Sequence, residues 1–296
     1  MRHAWLNESH MNASSVLTGP WQRTLETLVS SARSRLTLCA PYVSERGVSV
    51  VRDARRGAPE TNCAVLVLTD LSPLAVCAGA TDPCAVASLG QTLSNVRTVH
   101  LPRLHAKVYA ADGACAVVTS GNLTDGGLRA NHECGLLVEN AELAGRIEAE
   151  IAAYAALGAE VDRPTLDRLC ELAVAARAAY KAQTASASRE SSRRLRAVLR
   201  ASSDTLVRAR LAEGPIHTVF AKTIEYLLRR HGPLTTEQLH PMIHEIHPDL
   251  CDDTVDRVID GKRFGKKWKH AARTAQQQLK KRGIVALVNG AWTLVV

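Results

Sequence analysis

Six residues between positions 105 and 133 carry side chains that together could cleave a phosphate ester. In chain order they are His105, Lys107, Asp112, Ser120, Asn122 and Glu133. A neutral imidazole can attack phosphorus and form a phosphohistidine, which divides one difficult displacement into two easier ones. A cation with hydroxyl and amide donors can stabilise the charge that develops on the phosphoryl oxygens. The set therefore predicts chemistry on a phosphodiester.

Each of these side chains has an expected role. The second ring nitrogen of His105 needs an acceptor that fixes its tautomer, and Glu133 is the candidate for that acceptor. Lys107 and Asn122 are expected to bind the phosphoryl oxygens. Ser120 could donate to the same oxygens or orient the imidazole.

Alternating apolar and polar residues from Leu104 to Ala110 predict the strand that carries the first two groups. This period of two places His105 and Lys107 on the same face. Asp112-Gly113 predicts a tight turn into a returning strand, residues 114–119, and Asp112 is expected to fix the backbone or Lys107 rather than to take part in the chemistry. A third strand, residues 133–138, could bring Glu133 back toward the imidazole.

The spacing resembles the signature of the phospholipase D superfamily, His-x-Lys-x4-Asp-x6-Gly-Ser-x-Asn with a glutamate after it. Ser120, Asn122 and Glu133 follow His105 by 15, 17 and 28 positions, as in the compact bacterial nucleases of that superfamily. Thr119 is a departure, because the family usually has glycine there. The resemblance covers about the first 155 residues. It implies a layered α-β-α domain and catalysis without a metal or another cofactor.

The resemblance also implies a homodimer. Members of the superfamily combine two such motifs in one active site, where one histidine is the nucleophile and the other is the general acid. None of the other ten histidines is followed two residues later by lysine. The chain thus carries half a site, and we expect two copies of His105 to face each other across a twofold interface.

Composition narrows the class of protein. A chain of 296 residues suits one large domain or two medium ones, and it has no apolar run long enough to span a bilayer. Residues 1–12 lack the apolar core of a signal peptide. Four cysteines, Cys39, Cys63, Cys115 and Cys134, fall within apolar strand patterns, and none belongs to a Cys-x-x-Cys motif. We therefore expect buried thiols, no zinc site and a cytoplasmic location.

Positive charge is concentrated in the second half of the chain. Residues 1–159 contain 13 Lys and Arg against 14 Asp and Glu, whereas residues 160–296 contain 24 against 15. An acidic partner is therefore expected to bind mainly to the second half.

Periodicity divides the chain into three regions. In residues 1–159, helices are predicted near 21–34, 48–56, 83–93 and 141–157, with strands near 36–42, 62–69 and 96–101, which favours an α/β layered catalytic domain. Residues 160–213 are predicted to form a helical, basic linker. Its Ser- and Arg-rich stretch, residues 184–194, is interpreted as a solvated linker or an exposed helix; a weaker alternative is that its arginines follow a phosphate backbone.

Residues 214–296 predict a small domain that resembles a winged helix-turn-helix. Helices are expected at 216–231, from Thr235 or Thr236 onward and at 268–282, followed by a hairpin around Asn289-Gly290. Residues 262–282 contain no acid and are interpreted as a one-sided basic helix for nucleic-acid contact. Its basic residues are Lys262, Arg263, Lys266, Lys267, Lys269, Arg273, Lys280, Lys281 and Arg282. The alternative is a winged helix used for protein contact or dimerisation.

Three classes of function fit these observations. The preferred hypothesis is a metal-independent phosphodiesterase that acts on nucleic acid, in particular a DNA endonuclease of restriction, phage-defence or repair type. A phospholipase D or phosphatidyl transferase would need a lipid substrate, and the sequence offers no apolar anchor and an aromatic content of only 4%. A non-catalytic dimeric DNA-binding protein is the third possibility, which the complete catalytic set disfavours. No membrane partner is expected.

Overall fold

The computed structural model of the chain describes residues 14–56, 62–185, 189–212 and 214–295. The described residues form two compact units, the first drawn from within 1–70, 78–99 and 104–152, the second from within 71–77, 100–103 and 153–296. The prediction that residues 1–12 do not form a signal peptide concerns a segment that lies outside the described residues. The three-part division predicted from the sequence stays an interpretation.

The elements up to residue 157 contain the predicted catalytic residues. They are β1 (Ser14–Thr18), α1 (Gln22–Ser31), β2 (Arg35–Cys39), α2 (Glu45–Arg56), β3 (Ala64–Thr69), α3 (Pro73–Cys77), α4 (Pro83–Thr92), β4 (Val96–His100), β5 (Val108–Ala111), β6 (Cys115–Thr119), β7 (Cys134–Val138) and α5 (Ala141–Leu157). A short π-helical turn, Gly126–Ala130, lies between β6 and β7. Helix α3 belongs to the second unit.

Seven strands lie side by side in the order β1, β7, β6, β5, β2, β3, β4. Strands β2 and β3 are parallel, and both are rich in buried apolar residues, as the continuous apolar run at 64–68 predicts. The ribbon formed by β5, β6, β7 and β1 is antiparallel. Strand β1 was not predicted from the sequence, and it completes the edge of the sheet beside β7.

Helices cover both faces of this sheet. Tyr109 and Ala110 are consecutive residues of β5 and therefore point to opposite faces. The Tyr109 ring packs on Trp21 at the start of α1, with ring centroids 5.1 Å apart. Ala110 packs with Ala144 of α5 on the other face. The predicted layered α/β architecture is confirmed.

The predicted strand over residues 104–110 begins only at Val108, which corrects the prediction. His105 and Lys107 lie in the segment just before it. Strand β5 pairs on one side with β2, whose last residue, Cys39, lies opposite Val108. The chain beyond β2 reaches Pro41, which has no N–H group to extend the pairing. On the other side, one further bond remains, from the Thr119 N–H to the Lys107 carbonyl at 3.1 Å.

The second unit contains a helical part and a terminal part. Its elements after residue 157 are β8 (Ala159–Glu160), α6 (Arg163–Ala185), α7 (Arg189–Leu211), α8 (Ile216–His231), α9 (Thr236–Ile246), β9 (Asp256–Ile259), β10 (Lys262–Lys266), α10 (Lys267–Lys281), β11 (Val285–Val288) and β12 (Ala291–Leu294). The predicted helicity of residues 160–182 is confirmed by α6. Residues 186–188 of the Ser- and Arg-rich stretch lie outside the described residues, and the chain is helical again from Arg189. No helix among the described residues is long and apolar enough to cross a bilayer.

Helices α8, α9 and α10 and the hairpin β11–β12 share one hydrophobic core. Its fully enclosed residues include Phe220, Ile224, Leu239, Ile243, Ala272 and Ala275. Helix α9 begins with a capping box between Thr235 and Gln238, which confirms the predicted start. Asn289 and Gly290 both have positive φ angles, 50° and 82°, as a tight two-residue hairpin turn requires. The winged-helix interpretation of this region stays a prediction.

Residues 262–266 do not belong to a helix, which corrects the prediction of one continuous basic helix. They form β10, which pairs with β9 in a separate two-stranded hairpin. Asp260-Gly261 forms the turn, with φ angles of 47° and 75°. The same kind of turn pair was recognised at Asn289-Gly290, so the local signal was present in the sequence.

Candidate active site

His105 and Lys107 form the centre of the candidate site. The His105 side chain is exposed, whereas Lys107 is buried. The Lys107 Nζ atom lies 3.3 Å from both Nδ1 and Nε2 of the His105 ring. An anionic phosphate brought to the exposed imidazole would therefore meet a cation at the same place.

Burial also changes the acidity of this lysine. Loss of water lowers the pKa of Lys107 below its ordinary value, and the nearby Glu133 carboxylate and Cys39 thiol oppose that shift. Lys107 therefore gives up a proton more readily than an exposed lysine. An anionic phosphate bound beside this ammonium group would favour its charged form.

The end of β6 leads from the neighbour of this lysine to the hydroxyl and amide groups of the candidate site. Strand pairing places Thr119 next to Lys107, and the Ser120 N–H donates to the Cys134 carbonyl at 3.0 Å. The Ser120 hydroxyl donates to the Glu133 carboxylate and accepts from the Cys134 N–H at 3.1 Å. The amide oxygen of Asn122 is buried and has no hydrogen-bond partner among the described residues.

Glu133 has partners other than the expected one. Its carboxylate accepts from Ser120 and from the Asn131 amide at 3.1 Å. A hydrogen bond from His105 to Glu133, the sequence-based expectation, does not occur among the described residues. Within one chain, Glu133 therefore positions Ser120 and contributes negative charge near Lys107.

Thr119, the departure from the family pattern, fits because glycine lies opposite it. Strand pairing places Thr119 beside Gly135. A Cβ atom on Gly135 would come within 2.7 Å of the Thr119 Cα and Cβ atoms. The Thr119 hydroxyl accepts from the Gly121 N–H at 3.2 Å, so the extra side chain also holds the loop that leads to Asn122.

Aromatic residues in the core hold that loop, and sequence reasoning missed their role. The Trp21 indole N–H donates to the Gly127 carbonyl at 2.6 Å, and the Tyr109 hydroxyl donates to the Gly121 carbonyl at 3.0 Å. Burial raises the pKa of Tyr109 well above its ordinary value, so this hydroxyl stays a donor. The only signal in the sequence was Tyr109 within the motif itself.

Gly127 tests whether this packing positions the amide. A Cβ atom there would lie 2.4 Å from the Asn122 carbonyl oxygen and 2.6 Å from its nitrogen, so Gly127→Ala must displace the Asn122 backbone. A displacement of about 1 Å can cost on the order of 10²-fold in rate. We expect Gly127→Ala to lower kcat by about that factor in steady-state cleavage assays.

Gly126 provides the matched control for Gly127. The atoms nearest to a Cβ on Gly126 would be those of the Asn131 side-chain amide, at 3.3 Å or more, and a small shift of that side chain would make room. Gly126→Ala should therefore retain the wild-type rate. Equal losses in the two variants would contradict a specific role for the contact between Gly127 and Asn122.

Asp112 binds the backbone of a neighbouring segment. Its carboxylate accepts from the N–H groups of Arg33, Ser34 and Arg35, each at 2.8 Å, and from the Ser34 hydroxyl at 2.8 Å. Partial burial by itself raises the pKa of Asp112, but these hydrogen bonds outweigh it and lower the pKa to about 2. Asp112 thereby joins the β5–β6 turn to the start of β2.

Asp112→Asn should lower stability without disturbing the turn. Asp112 has a φ angle of 57°, which asparagine also tolerates. Hydrogen bonds to a charged group are worth about 1.5–3 kcal/mol, and we expect a loss of about that size in urea unfolding at neutral pH. In the wild type the pKa of Asp112 is lowered from 3.8 to about 2. The stability that Asp112 adds over asparagine is therefore complete above pH 3.8 and disappears as the pH falls through 2. Asp125→Asn, a change in a surface ion pair, should have little effect.

The predicted nucleic-acid-binding residues occupy two adjoining elements of the second unit. Lys262, Arg263 and Lys266 lie on β10, and Lys267, Lys269, Arg273, Lys280 and Lys281 lie on α10. Asp256 of β9 pairs with Lys266 at 2.9 Å and with Arg263 at 3.5 Å. Within the described part of the chain, the remaining six of these eight basic residues form no ion pair with a carboxylate. Lys269 lies over the Trp268 ring, 5.5 Å from its centroid.

The candidate catalytic residues lie in a segment that matches a known family. Residues 25–154 match the family model described as "Cardiolipin synthase, PLD-like domain". No curated protein matches the chain. The described residues contain no group of three or more His, Cys, Asp or Glu side chains that could hold a metal ion.

Several solved structures are similar to part of the chain. The phospholipase D family member Nuc from Salmonella typhimurium shares 18% identity, with 50% of this chain and 96% of Nuc covered and a TM-score of 0.39. NucT from Helicobacter pylori shares 17% identity, with coverages of 48% and 94% and a TM-score of 0.37. Phosphatidylserine synthase from Haemophilus influenzae Rd KW20 shares 16% identity, with coverages of 47% and 37% and a TM-score of 0.34.

Proposed function

We propose that the protein is a phosphodiesterase that cleaves nucleic acid, in particular DNA, because residues 25–154 match the model of a phospholipase D-like domain. The contact between the Lys107 ammonium and the His105 ring, 3.3 Å to either nitrogen, carries this proposal. It joins an accessible nucleophile to a fixed cation in the arrangement that attack on an anionic phosphodiester needs.

The proposed reaction has two steps and uses two copies of the chain. In the first, a ring nitrogen of His105 attacks phosphorus, and the bond to one ester oxygen breaks as His105 of the partner subunit donates a proton to it. In the second, His105 of the partner subunit takes a proton from water while the water oxygen attacks phosphorus and the N–P bond breaks. Lys107, Ser120 and Asn122 bind the phosphoryl oxygens in both steps.

An exposed apolar row on the sheet supports the homodimer. Val16 of β1, Leu136 of β7 and Val118 of β6 lie opposite one another in the pairing register and thus share one face. Their exposed fractions are 73%, 47% and 37%, large for apolar residues in adjacent strands. Such contiguous apolar surface is typical of a protein contact. Ser120, two residues after Val118, connects this row to the candidate site.

The choice of nucleic acid over lipid rests on the second unit. Exposed cations of β10 and α10, largely without carboxylate partners, suit a phosphate backbone. Helix α10 also exposes Arg273, Thr274 and Gln277, side chains that can bond base edges. Together with the core shared by α8, α9 and α10, this surface supports the winged-helix interpretation.

The discriminating experiment compares substrates under identical conditions. Purified full-length protein is incubated in EDTA with labelled single- and double-stranded DNA and RNA, and separately with phosphatidylcholine vesicles. We expect cleavage of DNA, with affinity that falls steeply as salt rises, because each neutralised phosphate releases counterions. Headgroup release from vesicles without DNA cleavage would overturn the proposed substrate. A strict requirement for magnesium would overturn the metal-independent scheme.

A further inference from the structure

We propose that the hairpin β9–β10 binds unpaired bases of the nucleic-acid substrate, with Phe264 as the stacking residue. This inference rests on the proposed function, which supplies nucleic acid as the partner, and it narrows the substrate to strands with unpaired or unstacked bases. Sequence reasoning assigned residues 262–266 to a helix and gave Phe264 no role.

The hairpin is exposed on both faces, which folding alone does not explain. Val258, Ile259 and Phe264 have exposed fractions of 56%, 41% and 49%. An isolated two-stranded hairpin is only marginally stable in water, and apolar side chains on it gain nothing from remaining hydrated. Val258 is a single exposed apolar residue on its face, which is common on protein surfaces, whereas Ile259 and Phe264 share the other face and are best explained by a partner.

Charge is distributed unequally between the two faces of the hairpin. Lys262 lies opposite Ile259. The pairing shifts register between Arg263 and Lys266, where Gly265 has a φ angle of 86°; a bulge at Gly265 leaves Phe264 alternating with Arg263 and therefore on the face of Lys262. The other face carries Val258, Arg263 and Asp256. The Asp256 carboxylate pairs with Arg263 and with Lys266. The Phe264 face thus carries apolar groups and a cation, and neither strand places a carboxylate on it. Such a face suits a polyanion that also presents flat apolar rings.

Hydrogen bonds attach the base of the hairpin to α10. The Lys267 N–H donates to the Val255 carbonyl at 3.0 Å. The His270 Nε2–H donates to the Phe264 carbonyl at 2.5 Å, and its Nδ1 accepts from Arg257 at 3.1 Å. The Phe264 backbone is thereby fixed beside the basic helix while its ring stays exposed. A strand bound along α10 would reach the hairpin without a rearrangement of the protein.

The chemistry of Phe264 favours unpaired bases over an intact duplex. In a duplex the faces of the bases are covered by their neighbours, so an exposed ring must first open a base step, which costs about a few kcal/mol. An unpaired base has already left the stack and carries no such cost. Such stacking contributes about 1–3 kcal/mol per base and tolerates any base. Lys262, on the same face, would bind an adjacent phosphate.

The test measures binding and avoids cleavage by using the full chain with His105→Asn. Fluorescence anisotropy at one salt concentration compares an intact duplex with a duplex of equal length that contains a central unpaired bubble. A further Phe264→Ala change should weaken bubble binding by about 5- to 150-fold, the equivalent of one lost stack, and should leave duplex binding unchanged. Phe264→Trp should restore bubble binding. Val258→Ala, on the opposite face, is the matched control and should bind as the parent does.

The outcomes separate this inference from the proposed function. If wild-type protein neither binds nor cleaves nucleic acid, the proposed function fails. If it does both but Phe264→Ala binds the bubble as the parent does, or loses bubble and duplex equally, only the role of the hairpin fails. A Phe264→Ala protein with unchanged nucleic-acid binding and a smaller oligomeric mass would assign the hairpin to protein contact and overturn the inference.

Discussion

Replacement of His105 by asparagine is expected to lower the rate of phosphodiester cleavage by on the order of 10⁴-fold or more. Asparagine can still form hydrogen bonds but cannot attack phosphorus. In a shared dimeric site the change would also remove the general acid, and loss of either function costs orders of magnitude in rate. Single-turnover cleavage of a labelled strand, with enzyme in excess, measures this effect without interference from product release.

A neighbouring histidine provides the control for this variant. His132 is also exposed and lies one residue before Glu133, so His132→Asn makes the same chemical change close to the site. We expect it to cut at nearly the wild-type rate. Thermal unfolding should be similar for all three proteins, because neither imidazole is buried. Cleavage by His105→Asn within about tenfold of wild type would contradict the nucleophilic role.

Mixed dimers show whether one site needs two copies of His105. Wild-type and His105→Asn chains are co-expressed in varied ratio, and activity is plotted against the wild-type fraction. If both imidazoles serve one site, only dimers of two wild-type chains cut fully, so activity should follow the square of that fraction. A linear relation would contradict the shared site while leaving His105 as nucleophile.

Local signals in the sequence predicted much of the site and its setting. The His-x-Lys spacing identified a pair of side chains that are in contact in the structure. The Asp112-Gly113 turn and the Asn289-Gly290 turn both adopt positive φ angles. The start of α9 followed from a capping residue. Such features depend on the conformational preferences of a few consecutive residues, which a sequence states directly.

Contacts between distant residues could not be predicted in this way. Trp21 and Gly127 are 106 positions apart, and no periodicity connects them. The chemistry of the site predicted a hydrogen bond between His105 and Glu133, whereas in the structure the Glu133 carboxylate accepts from Ser120 and Asn131. The β9–β10 hairpin was missed for another reason, because a run of basic residues was interpreted through its charge, while the Asp260-Gly261 turn within the same region was overlooked.

A buried polar network in the second unit is the clearest example of such long-range contacts. The Arg210 side chain is wholly buried, and its guanidinium donates to both Asp249 oxygens at 3.0 and 3.1 Å and to the Leu157 carbonyl at 3.4 Å. It also donates to His247 Nδ1, while His247 Nε2 lies 2.5 Å from the Thr223 hydroxyl. Burial and then the charge of Arg210 hold the pKa of His247 well below 6.5, so the ring is neutral and accepts at Nδ1.

This neutral histidine makes the stability of the second unit depend on pH. In the unfolded chain His247 binds a proton near pH 6.5, whereas in the folded chain it does so only at much lower pH. The unfolded state therefore binds more protons below pH 6.5, and the free energy of unfolding decreases as the pH falls from there. The stability that neutral His247 contributes is complete above pH 6.5.

Arg210→Ala is expected to lower the free energy of unfolding of the second unit by about 3 kcal/mol at pH 7.5, because it leaves the Asp249 carboxylate, only 18% exposed, without its cation. Urea unfolding, followed by tryptophan fluorescence, to which Trp268 and Trp292 in the core of that unit contribute, measures the loss. Arg208→Ala removes an exposed arginine from the same helix and should change the value by no more than about 0.5 kcal/mol.

A double variant distinguishes a missing charge partner from a missing side chain. Arg210→Met with Asp249→Leu removes both ions and keeps the volume filled, and such replacements are often neutral or stabilising. We expect the double variant to recover most of the stability that Arg210→Ala loses. If the double variant stays as unstable as Arg210→Ala, the network contributes through its hydrogen bonds to Leu157 and His247, because those bonds are absent from both proteins whereas only one retains the unpaired carboxylate.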